Sequence, residues 1–116
     1  MIEEAGLKWL NHVTATNVAA TQGTTVQPNY RRFVYYIKIE NAIAGFNTVS
    51  VGMDNGALIT LDTFSLTFLG DYIEYPREGI TKDTRPLFIL PAGYQISLVT
   101  NNGDAYFRMG YMDKTK

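Results

Sequence analysis

Apolar and polar residues alternate along most of the chain with the period of two that is typical of half-buried β-strands. The clearest case is the segment Arg31–Asn41, whose large side chains at alternate positions are predicted to face one core. These side chains are Phe33, Tyr35, Ile37 and Ile39. Short alternating segments follow at 47–53, 57–69, 72–75, 86–91, 94–100 and 105–112.

Turn signals separate these segments at intervals of roughly 8–12 residues, a spacing typical of β-sandwiches and barrels. Asp54-Asn55-Gly56 and Asn101-Asn102-Gly103 are the strongest, because Asn and Gly tolerate the positive φ of tight hairpins. The pattern predicts an all-β protein of about eight antiparallel strands. We expect a β-sandwich of jelly-roll type or a flattened barrel.

The segment 57–69 changes parity along its length. Ile59 and Leu61 fall on one face of a regular strand, whereas Phe64 and Leu66 fall on the other. A one-residue insertion in a strand reverses which side chains point inward. We therefore predict a β-bulge near Asp62–Thr63 that lets both halves of the strand face a core.

The first 28 residues follow a different pattern. Ile2 to Asn11 is the one helical candidate, with Leu7 and Leu10 three positions apart, although Gly6 weakens a helix there. The same segment could equally be an arm that becomes ordered on a partner. The Thr-rich stretch after it predicts a thin edge strand. We divide the chain into an N-terminal arm and edge strand (1–28) and a β-sandwich domain (29–116).

Composition and charge exclude several kinds of protein. The chain has 116 residues with no Cys and one His, so thiolate sites and His-rich metal sites are impossible. A net charge of −1 argues against nucleic-acid binding. No apolar stretch has the length of a membrane helix, and Glu3 and Glu4 stand where a signal peptide would be basic. We expect no metal, no cofactor and no membrane, and a protein that is made and used in the cytoplasm or is carried out of it as part of something else.

Candidate catalytic residues are few. His12 has no partner that the sequence identifies, and the serines at alternating strand positions lack the strained turn of a nucleophile. Most carboxylates lie in turns, where Asp bonds the local backbone. These observations predict that the protein is not an enzyme.

Aromatic residues are the feature best suited to carry function, since eight Tyr, six Phe and one Trp exceed what one small core needs. Tyr and Trp are enriched at interfaces because each combines a large apolar area with one polar group. Trp9, Tyr36, Tyr72 and Tyr106 are predicted away from the core. They could serve protein assembly or carbohydrate binding, and Tyr also suits the half-buried surface of a sheet without any further role.

Three segments resemble small virion proteins of tailed bacteriophages, of the capsid decoration (cement) type. The segment Arg31–Asn41 resembles their early strand, which ends in an Asn turn. The segment Leu90–Leu98 (LPAGYQISL) resembles their Pro-x-Gly entry to an alternating strand. The segment Asn101–Phe107 (NNGDAYF) resembles their final hairpin.

The resemblance implies a non-enzymatic protein of the virion, assembled in the host cytoplasm, that self-associates, often as a trimer. It also implies binding to other virion proteins such as the major capsid protein, with an N-terminal arm that helps. Leu7, Trp9 and Leu10 would be the apolar anchors of that arm, in keeping with the residues that dominate interfaces. Tyr36, Tyr72 and Tyr106 complete the predicted partner-binding set, and a carbohydrate-binding β-sandwich module is the alternative function.

Overall fold

A computed structural model describes residues 7–13, 20–22, 25–77, 80 and 84–115. This part of the chain is all-β and contains nine strands and no helix, so it also has no helix that could span a membrane. The strands are β1 (Lys8–Val13), β2 (Ala20–Gln22), β3 (Tyr30–Asn41), β4 (Asn47–Asp54), β5 (Leu58–Leu66), β6 (Tyr72–Tyr75), β7 (Phe88–Leu90), β8 (Gln95–Thr100) and β9 (Ala105–Thr115).

The strands form two antiparallel sheets. The five-stranded sheet has the order β1-β9-β3-β6, and β7 also pairs with β3, whereas the four-stranded sheet has the order β2-β8-β4-β5. The first strand therefore pairs with the last, and each later strand pairs with one progressively nearer to it in sequence: β1 with β9, β2 with β8, β3 with β6 and β7, and β4 with β5. Successive pairs alternate between the sheets, which is the strand order of a jelly roll. The predicted β-sandwich is confirmed.

The main core lies between the two sheets. It consists of buried apolar side chains contributed by both sheets and by Val26 in the segment before β3. The largest of them are Ile37, Ile39, Leu66, Leu90, Ile96, Leu98, Phe107 and Met109. Alternate residues of β3 and β9 supply much of one wall, as expected for strands with one buried face.

The prediction of which β3 side chains face the core is wrong for the first half of the strand, because the strand contains a β-bulge there. The register with β9 skips Tyr35, because Val34 pairs with Tyr111 and Tyr36 pairs with Gly110. An inserted residue reverses the parity of a strand. Val34 consequently enters the main core, while Phe33 and Tyr35 belong to a separate cluster of apolar side chains. Ile37 and Ile39 lie in the core, as predicted.

The β-bulge predicted near Asp62–Thr63 is confirmed, and it lies at Leu61, one residue before the expected place. Val51 pairs with Asp62 and Gly52 pairs with Thr60, so Leu61 is the additional residue of β5. Ile59 is registered with Met53, and Phe64 with Val49, so both halves of the strand point toward the same side. Ile59 and Leu61 nevertheless remain exposed.

The N-terminal part contributes strands to both sheets. Lys8–Val13 pairs with β9 along its whole length, so the helical interpretation is wrong for Lys8 to Asn11, and residues 1–6 lie outside the described residues. Ala20–Gln22 pairs with β8 at the edge of the four-stranded sheet, as a thin edge strand would. Because Trp9 stands opposite Gly110, its large ring has room to lie over β9.

Candidate functional site

The outer face of the five-stranded sheet carries most of the predicted site residues, and we call it the aromatic face. Its backbone register places Tyr106 beside Glu40 and Glu40 beside Tyr72, on three adjacent strands. The neighbouring residues Ile39 and Phe107 are buried in the main core, so this row of side chains points outward. Tyr72 is 54% exposed and Tyr106 is 52% exposed.

Trp9 and Tyr36 occupy the next part of the aromatic face. Their ring centroids are 5.6 Å apart, and the rings meet edge to face at 67°. Arg108 lies over the indole, with its Cζ atom 4.3 Å from the ring centroid. A Cβ atom at Gly110 would come within 2.9 Å of the indole ring, so this position keeps Trp9 close to the sheet. Such aromatic and cation–π contacts fix the rings in place.

A hydrogen bond joins the two halves of the aromatic face. The Tyr36 hydroxyl donates to Glu74 Oε2. Burial, together with this bond to the Glu74 carboxylate, raises the pKa of Tyr36 to about 12. Lys38 lies between the halves, with its Nζ atom 4.9 Å from the Tyr72 ring centroid and 3.8 Å from Glu40 Oε1.

The structure brings some of the predicted partner-binding residues together and separates others. Leu7, Trp9 and Tyr36 belong to one outer cluster, in which Leu7 and Tyr36 are buried. Tyr72 and Tyr106 form the exposed row beside it. Leu10 packs on the opposite side, against the main core. That these six side chains bind a partner stays a prediction.

Sequence patterns did not indicate the opening along one side of the sandwich. We call this region the open edge: β5 in one sheet, β6 and β7 in the other, and the cavity of about 370 Å³ between them. The lining residues are Ile37, Val51, Leu61, Asp62, Phe64, Tyr75, Leu87 and Phe88. A run of apolar residues in a strand predicts that one face is buried, but not whether a second strand reaches far enough to cover it.

The sequence patterns also did not predict a network of hydrogen bonds from two buried side chains, Asn41 and Asn47, which we call the Asn hub. Asn41 Nδ2 donates to the carbonyls of Gly45 (2.7 Å) and Phe68 (3.0 Å), and Asn47 Nδ2 to the carbonyl of Gly103 (3.1 Å). The hub fixes loops that carry three exposed apolar side chains, namely Phe46, Phe68 and Leu69. Two Asn residues that bracket a short loop were the available sequence signal, since Asn often bonds the backbone of turns.

Taken together, these surfaces offer apolar area, ring faces, cations and hydrogen-bonding groups, which are the means of noncovalent binding. In the part of the chain that the structure describes, no group of three or more His, Cys, Asp or Glu residues is arranged to hold a metal ion. His12 lies in the edge strand β1, where its backbone is registered with Phe107.

Comparisons with known proteins place the chain in no family. No family model matches it, and no curated protein matches it. Among solved structures, a chain in the structure of infectious bursal disease virus Gt strain is similar at 9% identity and a TM-score of 0.32. The similarity covers 92% of this chain but only 31% of that chain. At that level it carries no argument about function.

Proposed function

We propose that this protein is a non-enzymatic structural component of a virion, which self-associates and binds other virion proteins such as the major capsid protein. The observation that carries the proposal is the aromatic face. Tyr72 and Tyr106 expose more than half of their surface there, and Glu40 lies between them on the middle of three adjacent strands. Large aromatic side chains on a firm scaffold are typical of interface centres.

The order of the strands supports the proposal by analogy. Jelly rolls occur in viral capsid proteins and in lectins. A fold of this kind hosts many functions, so the surface has to distinguish among them. The aromatic face combines Tyr rings with Lys38 and Arg108, and such rings beside cations suit a protein partner.

Sedimentation velocity at micromolar concentration tests self-association. We expect the wild-type chain to sediment as an oligomer, with a trimer as the state that the resemblance implies. The double variant Tyr72→Ser/Tyr106→Ser should shift to the monomer. Tyr30→Ser is the matched control, because Tyr30 is also exposed but lies at the opposite end of β3. A monomeric wild-type chain, or an unchanged double variant, would contradict the proposal.

A carbohydrate-binding module is the second candidate, and the exposed pair Tyr72 and Tyr106 is the observation that favours it. Sugar rings stack on flat, accessible aromatic faces. Lys38 already lies over the Tyr72 ring, and Trp9 and Tyr36 meet at 67°, so these rings do not form one flat platform. A glycan array separates the candidates: binding that is lost in Tyr106→Ser would favour the module, and an array without hits would remove it.

A further inference from the structure

The open edge differs from the other margins of the two sheets. β5 is nine residues long and lies at the end of its sheet, so backbone groups along one side of it point away from β4. The other edge strands are shorter: β2 and β7 have three residues, β6 has four and β1 has six. β5 contains no Pro and no basic residue, the usual protections of an exposed edge.

Exposed apolar side chains follow the same edge. Leu61 is 41% exposed and lines the cavity, and Ile59 has a similar exposure. Both belong to the half of β5 that the bulge turns toward the interior, yet the short strands β6 and β7 opposite do not cover them. Apolar surface at an uncovered margin is characteristic of a binding site.

One carboxylate accompanies this apolar surface. Asp62 is the charged residue among the described side chains that line the cavity, and it is registered with the buried Val51, so it shares the inner side of β5. Its Oδ1 atom accepts a hydrogen bond from the backbone N–H of Thr63 at 2.8 Å. A group that binds here thus meets an apolar cavity and a single negative charge on the same side of the strand.

We propose that the open edge binds an extended polypeptide segment of a partner protein by strand addition. The backbone of the segment pairs with β5, one apolar side chain enters the cavity, and one Lys or Arg pairs with Asp62. A strand edge beside a side-chain pocket is the arrangement used in such recognition. Only a polypeptide uses both features, since the free edge offers alternating N–H and C=O groups.

The geometry also specifies the sequence of the segment. Side chains on one face of an extended strand are two residues apart. The cavity and Asp62 lie on the same face of β5, so the apolar and the basic residue should be separated by one residue, in either order. The inference deepens the proposed function and rests on it, because it states the chemistry of one partner segment.

A displayed library of random 12-residue peptides, selected on the full chain, provides the probe. We expect enrichment of a basic residue and a large apolar residue two positions apart. The Asp62→Lys variant should bind the best synthetic peptide roughly tenfold or more weakly than the wild-type chain does. The same variant should bind well to a second peptide, in which the basic residue is replaced by Glu. Leu61→Asp should weaken binding similarly.

Leu58→Asp is the matched control. Leu58 is exposed like Leu61 and lies on the same strand, but it packs over Gly52 and does not line the cavity. Binding to this variant should stay within about twofold of wild type. Circular dichroism checks that each variant folds. If Leu61→Asp does not fold, the binding measured for Asp62→Lys tests the inference, because Asp62 is exposed and its replacement does not disturb the core.

Backbone pairing is tested with two series of the selected peptide, N-methylated at odd or at even positions. Strand addition predicts that one series loses binding and the other keeps it, since only alternate N–H groups face β5.

Three results would overturn the inference: no enriched pattern, equal effects of the two series, or unchanged binding to Asp62→Lys. A fall in oligomer mass for Asp62→Lys would also overturn it, since a second copy would then occupy the edge. Self-association through the aromatic face is decided separately by the Tyr72→Ser/Tyr106→Ser variant.

Discussion

Arg32 and Asp113 form a two-pronged ion pair between the beginning of β3 and the end of β9. Arg32 Nε lies 2.7 Å from Asp113 Oδ1, and Arg32 Nη2 lies 3.0 Å from Oδ2. The Arg32 side chain is 2% exposed and lies over the Tyr111 ring at 4.4 Å. A buried guanidinium that loses its carboxylate is strongly destabilising.

We therefore expect Asp113→Ala to lower the free energy of unfolding by about 3 kcal/mol in urea denaturation. Glu40→Ala is the control, because it removes the exposed pair with Lys38 and should change stability by less than about 1 kcal/mol. Equal effects of the two variants would show that burial does not strengthen the Arg32–Asp113 pair.

The raised pKa of Tyr36 predicts how stability depends on pH. Tyrosines in the unfolded chain ionise near pH 10, whereas Tyr36 in the folded chain ionises at about pH 12. The stabilisation that depends on the neutral hydroxyl is complete below pH 10 and is lost as the pH rises from 10 to about 12. Two pKa units correspond to about 3 kcal/mol.

Absorbance at the tyrosinate band checks this expectation. The titration should contain a late step at about pH 12 from Tyr36, and Tyr36→Phe should remove that step. Tyr106→Phe is the control, since Tyr106 is exposed and its replacement should leave the late step in place. If Tyr36→Phe leaves the late step, another residue is responsible for it.

Gly110 is predicted to control the position of Trp9. A Cβ atom there would approach the indole to 2.9 Å, so Gly110→Ala should push the ring away at a cost of about 1 kcal/mol. Trp9 is the single Trp, so its fluorescence reports on this movement directly. We expect a shift of the emission maximum to longer wavelength and increased quenching by acrylamide.

Gly52→Ala gives the matching comparison. Its Cβ atom would lie 2.5 Å from the Ile59 carbonyl oxygen, which is a backbone atom that moves less easily than the end of a side chain. This variant should lose more stability than Gly110→Ala, by roughly 1–3 kcal/mol, while leaving the Trp emission unchanged. A reversed order of the two stabilities would show that the indole is held more firmly than the β4–β5 backbone.

The Asn hub should stabilise the loops at its end of the sandwich. Asn47 donates to the carbonyl of Gly103 and accepts from the N–H of Asn102 at 3.2 Å, so Asn47→Ala leaves a buried carbonyl and a partly buried N–H without these bonds. We expect a loss of about 2–3 kcal/mol and faster amide exchange at Asn102. Asn55→Ala, in an exposed turn, should cost less than about 1 kcal/mol, and a similar cost for both would count against the hub.

The strands from Tyr30 onward were predictable because each has alternating residues and a turn signal at its end. The first half of β3 was not, since all its residues from Phe33 to Ile37 are apolar and a single inserted residue decides which of them point inward. The N-terminal strand escaped prediction for a related reason. Leu7 and Leu10 have helical spacing, but Leu7 belongs to the outer cluster and Leu10 packs on the main core.

In the candidate site, too, some features could be predicted from the sequence and others could not. Tyr72 and Tyr106 were predicted to point away from the core, and their exposure follows from the parity of β6 and β9. The pairing of Tyr36 with Glu74 and the cavity beside Leu61 depend on which strands become neighbours. Contacts between residues far apart in sequence are tertiary properties, and no local pattern in one sequence encodes them.

The position of β9 has a consequence for synthesis of the chain. Strand β9 stands between β1 and β3, so the five-stranded sheet has no continuous centre until β9 has left the ribosome. Contacts that span most of the chain also slow folding. We therefore expect the five-stranded sheet to form only after β9 has emerged, and chaperones to bind the exposed earlier strands until then.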